Sequence, residues 1–202
     1  MRRRSEFAPG VRPAAREFVA RFQSFPCGAA VKAPEQLDAA LDSRCGAIFV
    51  LRANGLELSP VVQRIHLAGK LAVVHLDLVD GLSADLAGVR WLARCGADAI
   101  ISSHGQAVRA IRAEGVVAIQ RLLCVSQVGV EVGLVAVARS QPDIVELLPG
   151  VILPQVADLV MPRLDVPLLA GGFIHDAVAA RRVLEAGALA VTTSAPALWE
   201  PW

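Results

Sequence analysis

Leu168-Leu169-Ala170-Gly171-Gly172-Phe173-Ile174 is an apolar run of strand length that ends abruptly in a glycine pair. Downstream, Ala188-Leu189-Ala190-Val191-Thr192-Thr193-Ser194 repeats the design with hydroxyls in place of glycines. Gly171-Gly172 lets the backbone approach a ligand closely, because no Cβ intrudes. Thr192, Thr193 and Ser194 add hydroxyl donors. Two neighbouring strand ends of this kind, each followed by a helix start, make a phosphate cradle. In a (β/α)8 barrel the loops after the seventh and eighth strands are where such a cradle sits. This reading predicts six more parallel strands upstream.

The chain supplies them. Arg44-Cys45-Gly46-Ala47-Ile48, Arg94-Cys95-Gly96-Ala97-Asp98-Ala99-Ile100 and Glu185-Ala186-Gly187-Ala188-Leu189-Ala190-Val191 are copies of one helix-stop-strand device. Its repetition implies repeated βα units and a parallel sheet. Apolar runs at 29–31, 45–51, 71–76, 95–101, 116–121 and 143–148 precede the two already quoted. Helical stretches at 34–44, 59–69, 83–94, 104–114, 126–139, 151–160 and 175–186 separate the eight. Ser59-Pro60 reads as a cap and first helical position, and Pro154 limits its helix to a late start. The runs are near-continuous Val, Ile, Leu and Ala, as strands buried on both faces require. Eight strands favour a closed (β/α)8 TIM-barrel-like fold with short loops over an open sheet. Residues 11–22 carry Val11, Ala15, Phe18, Val19 and Phe22 at helical spacing and are placed to close the barrel floor. The organisation predicted is a flexible basic tail over 1–10 and one barrel domain over 11–202.

Composition narrows the function. With 54% hydrophobic residues the chain is not disordered. No apolar run is long enough to span a membrane, and the charged N-terminus lacks the apolar core of a secretory signal. Cys27, Cys45, Cys95 and Cys124 are widely spaced, which fits reduced, buried thiols in a cytoplasmic protein and no metal site. No cofactor motif is present. A net charge of +1 gives no bulk attraction for polyanions. Arg2, Arg3, Arg4, Arg12, Arg16 and Arg21 do cluster at the front, as a solvated tail or as an arm for RNA.

In this architecture function sits at the C-terminal strand ends. Those positions hold Lys32, His75 with Asp77, Gln120 with Arg121, Glu146, the Gly171-Gly172-Phe173 loop and Thr192-Thr193-Ser194. Cations beside carboxylates and a phosphate cradle suit a small polyhydroxylated phosphate ester: the cations meet the anion and the carboxylates accept from hydroxyls. Plainer readings stand beside this one. Glu146 can pair with Arg121 or Lys32 as a buried ion pair, His75 can be a satisfied core histidine, and Gly171-Gly172 a tight turn. His104 and His175 read as surface residues at helix starts, and Trp91 and Trp199 as packing or interface groups. The residues alone lead to a barrel that binds a phosphorylated small molecule, as enzyme or as sensor.

Val74-His75-Leu76-Asp77-Leu78-Val79-Asp80-Gly81, Ile100-Ile101-Ser102-Ser103, Ala118-Ile119-Gln120-Arg121, Val145-Glu146-Leu147-Leu148-Pro149-Gly150, Ala170-Gly171-Gly172-Phe173-Ile174 and Gly187 through Ser194 with Leu198-Trp199 occur in that order. Together they resemble the glycerol uptake operon antiterminator family, from about residue 28 to 199. The resemblance implies a regulator on a barrel-like fold with no catalytic residues. It would sense glycerol 3-phosphate and bind the leader of glycerol-catabolism mRNA, preventing premature termination; a homo-oligomer is compatible with it. Phosphate contacts are expected from Gly171, Gly172, Phe173, Thr192, Thr193 and Ser194. The polar mouth is expected from Lys32, His75, Asp77, Gln120, Arg121 and Glu146. The chain departs from the family pattern at Lys32, at Leu51-Arg52, at His104-Gly105-Gln106 and at Ser126-Gln127. The alternatives are a sugar-phosphate isomerase or synthase using Asp77 or Glu146 as base, and a metabolite-binding barrel without RNA function.

Overall fold

The computed structural model describes residues 12–202. The expected basic tail over 1–10 therefore lies outside the described residues. Eight strands close an all-parallel barrel: β1 (Cys27–Val31), β2 (Ala47–Val50), β3 (Leu71–His75), β4 (Ala99–Ser102), β5 (Val117–Leu123), β6 (Ile144–Leu148), β7 (Leu168–Gly171) and β8 (Ala190–Thr193). Each strand pairs with its neighbour in sequence, and β8 closes on β1 through Cys27↔Val191 to Ala29↔Thr193. The expected (β/α)8 barrel is the observed fold.

Before β1 comes α1 (Pro13–Ala20); α2 (Leu37–Asp42), α3 (Leu58–Leu67), α4 (Leu86–Arg94), α5 (Gly105–Ala113), α6 (Gln127–Ser140), α7 (Leu153–Val160) and α8 (Ala177–Glu185) alternate with the strands. No helix among the described residues is long and apolar enough to cross a membrane. Side-chain caps fix several starts: Asp85, Ser126 and Asp176 each accept a backbone N–H three residues on, which satisfies an otherwise orphaned donor. Gly96 and Gly187 take left-handed φ of 89° and 109° to turn from helix to strand. The third copy of that device differs. Gly46 lies against the Arg21 carbonyl under α1, where a Cβ would approach to 3.1 Å.

Two apolar layers follow from strand alternation. Val31, Ile48, Val74, Ile100, Ala118, Val145, Ala170 and Val191 face the helices. Ala30, Phe49, Val73, Ile101, Ile119, Ile144, Leu169 and Ala190 fill the lumen, joined by Phe18, Val19 and Phe22. The first helix thus plugs the floor as expected. Arg12 holds it there, donating to Asp143 (Nε to Oδ1, 2.8 Å) and to the Val116 carbonyl (2.7 Å).

Some boundaries differ from the sequence reading. α3 begins at Leu58 rather than Ser59, because a 3-10 turn over Gly55–Glu57 leads into it, capped by Asn54. α7 begins at Leu153, with a 3-10 turn over Gly150–Ile152 carrying the chain past Pro149. A two-residue ribbon pairs Ala53–Asn54 with Val79–Asp80 outside the barrel.

Candidate ligand site at the barrel mouth

One more step of alternation above the apolar lumen layer builds the site. Two residues beyond Ala30, Val73, Ile119, Ile144, Leu169 and Ala190 stand Lys32, His75, Arg121, Glu146, Gly171 and Thr192. The luminal face changes from apolar to polar at this level. Glu146 is the hub and is 2% exposed. Its Oε2 accepts from Arg121 Nε at 3.0 Å and Nη2 at 2.7 Å, and its Oε1 from Thr192 Oγ1 at 2.9 Å. The planar guanidinium thus engages a buried carboxylate with two donors, an arrangement a lysine cannot make. Gly171 exists to make room for this hub. A Cβ there would lie 2.4 Å from Thr192 Oγ1 and 2.9 Å from Glu146 Oε1.

His75 is 2% exposed, and neither ring nitrogen has a hydrogen-bond partner among the described residues. Burial, and then the neighbouring Arg121 charge, hold its pKa down to about 4, against the pull of Asp77 and Glu146. At neutral pH the ring is an uncharged donor and acceptor.

Asp77 lies just past β3 in the 3-10 turn Leu76–Leu78. Its carboxylate accepts from Ser102 Oγ (2.6 Å), Ser103 N (2.7 Å) and Ser103 Oγ (2.6 Å), with His104 Nδ1 at 3.5 Å. Burial works to raise its pKa, but the serine hydrogen bonds outweigh it and the net shift is downward. Lys32 is exposed at the rim and has no side-chain partner among the described residues.

The loops after β7 and β8 offer backbone rather than side chains. Gly172 and Phe173 both have left-handed φ, 89° and 58°. The Phe173 side chain is 71% exposed, its ring edge-on to His175 at 6.5 Å between centroids. Among the described residues the N–H groups of Gly172, Phe173 and Ser194 donate no hydrogen bond. The α8 N-terminus differs: Ala179 N–H is taken by Asp176 at 2.8 Å. Asp176 thus engages one of the first-turn donors of α8.

Two expected site residues face elsewhere. Gln120 is one position out of phase with Arg121, so it turns to the helices and accepts from Ser140 Oγ of α6. Thr193 is likewise out of phase with Thr192. Its hydroxyl donates to the Ile174 carbonyl (2.7 Å) and accepts from Ala195 N–H (3.1 Å), pinning the two loops together. Trp199 is a packing residue, 2% exposed, with Nε1 donating to the Thr193 carbonyl at 2.9 Å. Ser102 and Ser103, the hydroxyl pair that ends the fourth strand in the sequence, hold Asp77. Each carboxylate accepts three hydrogen bonds from the protein and keeps capacity for about one more. Among the described residues no group of three His, Cys, Asp or Glu is arranged to hold a metal.

Fold and mouth together define a (β/α)8 barrel with a buried polar layer at the C-terminal ends of its strands. The chain belongs to the glycerol-3-phosphate responsive antiterminators, whose family model matches residues 28–199. It is 38% identical over 175 residues to the uncharacterized protein YgcP of Escherichia coli K12, covering 86% of this chain and 91% of that one. The glycerol uptake operon antiterminator regulatory protein of Listeria monocytogenes superposes with a TM-score of 0.81 at 30% identity, over 86% and 94% of the two chains. A glycerol uptake operon antiterminator-related protein of Thermotoga maritima gives 0.77 at 25% identity, over 86% and 96%. Membership of this family points to a regulatory role.

Proposed function

We propose that the mouth binds glycerol 3-phosphate and that the bound form engages leader mRNA to cause antitermination of glycerol-catabolism genes. The observation that carries the ligand half is His75: a fully buried imidazole with both nitrogens unpartnered, in the same polar layer as Arg121 and Glu146. Leaving such a ring unsatisfied costs about 1–3 kcal/mol, and a ligand hydroxyl removes that cost. In this reading the phosphate lies on the Gly172, Phe173 and Ser194 amides, with the Lys32 ammonium near it. The hydroxyls meet His75, Arg121 and the Glu146 and Asp77 carboxylates. Gly171, Gln120 and Thr193 support the site from behind.

A thermal-shift titration tests this, comparing glycerol 3-phosphate with glycerol and with inorganic phosphate. At a hundredfold excess over Kd, mass action stabilises the folded chain by about 2.7 kcal/mol. For a chain of this size that raises Tm by about 5–10 °C. The ester should give this shift, with phosphate giving less and glycerol almost none. No shift with the ester would rule the reading out.

A further inference from the structure

The polar layer of the mouth does not balance its own charge. Glu146 and Arg121 form an ion pair with side chains 2% and 12% exposed. Asp77, its side chain 13% exposed, adds a second carboxylate. The Ser102 and Ser103 hydrogen bonds hold its pKa below the ordinary value, so it is ionised at neutral pH. His75, on which all three charges act, is neutral there. Two carboxylates thus stand against one guanidinium, an excess of one negative charge. Nothing below offsets it, because the next level of the lumen is Val73, Ile119, Ile144 and Leu169. His104 comes within 3.5 Å of Asp77 but is 63% exposed, and Lys32 stands exposed at the rim. A charge held away from water is screened weakly. The hydrogen-bond inventory leans the same way. Asp77 and Glu146 each keep room for about one more donor, and the neutral His75 ring has an acceptor nitrogen as well as a donor, both unpartnered.

We propose that the mouth selects its ligand by the oxidation level of the tail, with Asp77 and Glu146 as the specificity-determining residues: it takes a short phosphate ester whose tail carries only hydroxyls and turns away esters of the same length with a ketone or a carboxylate there. This rests on the reading of the mouth as a phosphate-ester site and adds an orientation to it. The buried negative excess repels the phosphate, which stays at the rim with Lys32 and the loop amides, and the uncharged tail enters the layer. There a hydroxyl gives its hydrogen to Asp77 or Glu146 and accepts one from His75 or Arg121. A ketone oxygen only accepts, so it sets lone pairs against a carboxylate and leaves that carboxylate's open position unfilled. A site built to hydrogen-bond a hydroxyl discriminates strongly against the analogue that lacks it. A carboxylate tail also lacks the hydrogen and brings a second negative charge beside Asp77 and Glu146, where burial makes like charges costly.

The test is calorimetric titration of the full wild-type chain at neutral pH with glycerol 3-phosphate, dihydroxyacetone phosphate and 3-phosphoglycerate. These share a three-carbon frame and a terminal phosphate and differ in the tail. The ketone should bind about tenfold to a hundredfold more weakly than the alcohol, the worth of a hydrogen bond to a charged group. The acid should bind at least about a hundredfold more weakly. Asp77→Asn removes the excess charge at nearly constant shape and should narrow the gap between alcohol and acid about tenfold; Glu146→Gln should narrow it too, with circular dichroism reporting on the fold of both. If the three ligands bind the wild type equally, the selection is overturned while the phosphate-ester reading stands. If none of them binds, that reading fails and the selection with it. A gap to the acid that persists unchanged in both folded variants would overturn the assignment to Asp77 and Glu146.

Discussion

His75 concentrates the site's chemistry in one ring. Its pKa, held at about 4 against an ordinary 6.5, has a consequence for stability. Between those two values the unfolded chain binds a proton at this position that the folded chain does not. Folded stability from this residue is therefore complete above about pH 6.5 and is lost as pH falls to about 4, by on the order of 3 kcal/mol. Arg121, Asp77 and Glu146 are the charged groups acting on the ring, and the first acts more strongly than either carboxylate alone. Asp77 titrates in a separate window: with its pKa lowered, its contribution is lost only below its ordinary 3.8. Denaturant unfolding at half-unit pH steps should show stability falling from pH 6.5 to 4 in the wild type. His75→Gln should flatten that slope, and an identical slope in the variant would show that the ring is not the titrating group. The residue was legible in the sequence as a strand-end polar group, but its lack of a partner was not. Whether a histidine is satisfied depends on neighbours brought in by other strands.

The same limit separates the two glycines of the β7 loop. In the sequence Gly171-Gly172 reads as one device for close approach to a ligand. In the fold they do different work. Gly171 faces the lumen and yields its side-chain space to Glu146 and Thr192. Gly172 takes a left-handed φ, and a Cβ there would press closest on the movable Leu148 Cδ1, at 3.0 Å, with the Pro149 Cα at an ordinary 3.6 Å. Gly171→Ala should push apart the Glu146–Thr192–Arg121 hub and lower stability by about 2–4 kcal/mol. Gly172→Val should cost about 1–3 kcal/mol in backbone strain while abolishing the ligand-induced shift in Tm. Calorimetry with and without ester separates the two, and equal loss of ligand response at equal stability would refute the division of labour. Period-two alternation from Arg121 on β5 and from Thr192 on β8 puts Gln120 and Thr193 on the helix side. A polar residue at a strand end faces the mouth only when it is in phase with the luminal layer, so position at a strand end does not by itself separate Gln120 from Arg121 or Thr193 from Thr192.

At the scale of the whole molecule the barrel was legible because one βα device is repeated, and repetition survives in a linear sequence. The surface that would meet RNA is not encoded that way. Exposed arginines stand on α4, α5 and α8, and which of them form one patch depends on how the barrel brings separate helices together. Linkage nevertheless fixes what the proposed switch must do. If glycerol 3-phosphate raises affinity for a leader hairpin by some factor, the hairpin must raise affinity for the ester by the same factor. A coupling of about 1–3 kcal/mol corresponds to about 5–150-fold. Hairpin affinity, measured by fluorescence anisotropy with and without the ester, should rise by a factor in that range. Ester affinity, measured by calorimetry with and without hairpin, should rise equally. Contacts to phosphates would also make hairpin binding weaken with salt, while coupling through a change of the mouth loops would keep the ratio nearly constant across salt. An affinity for RNA that ignores the ester would leave a phosphate-ester-binding barrel without a switch, and unequal factors would mean that the two measurements report different species.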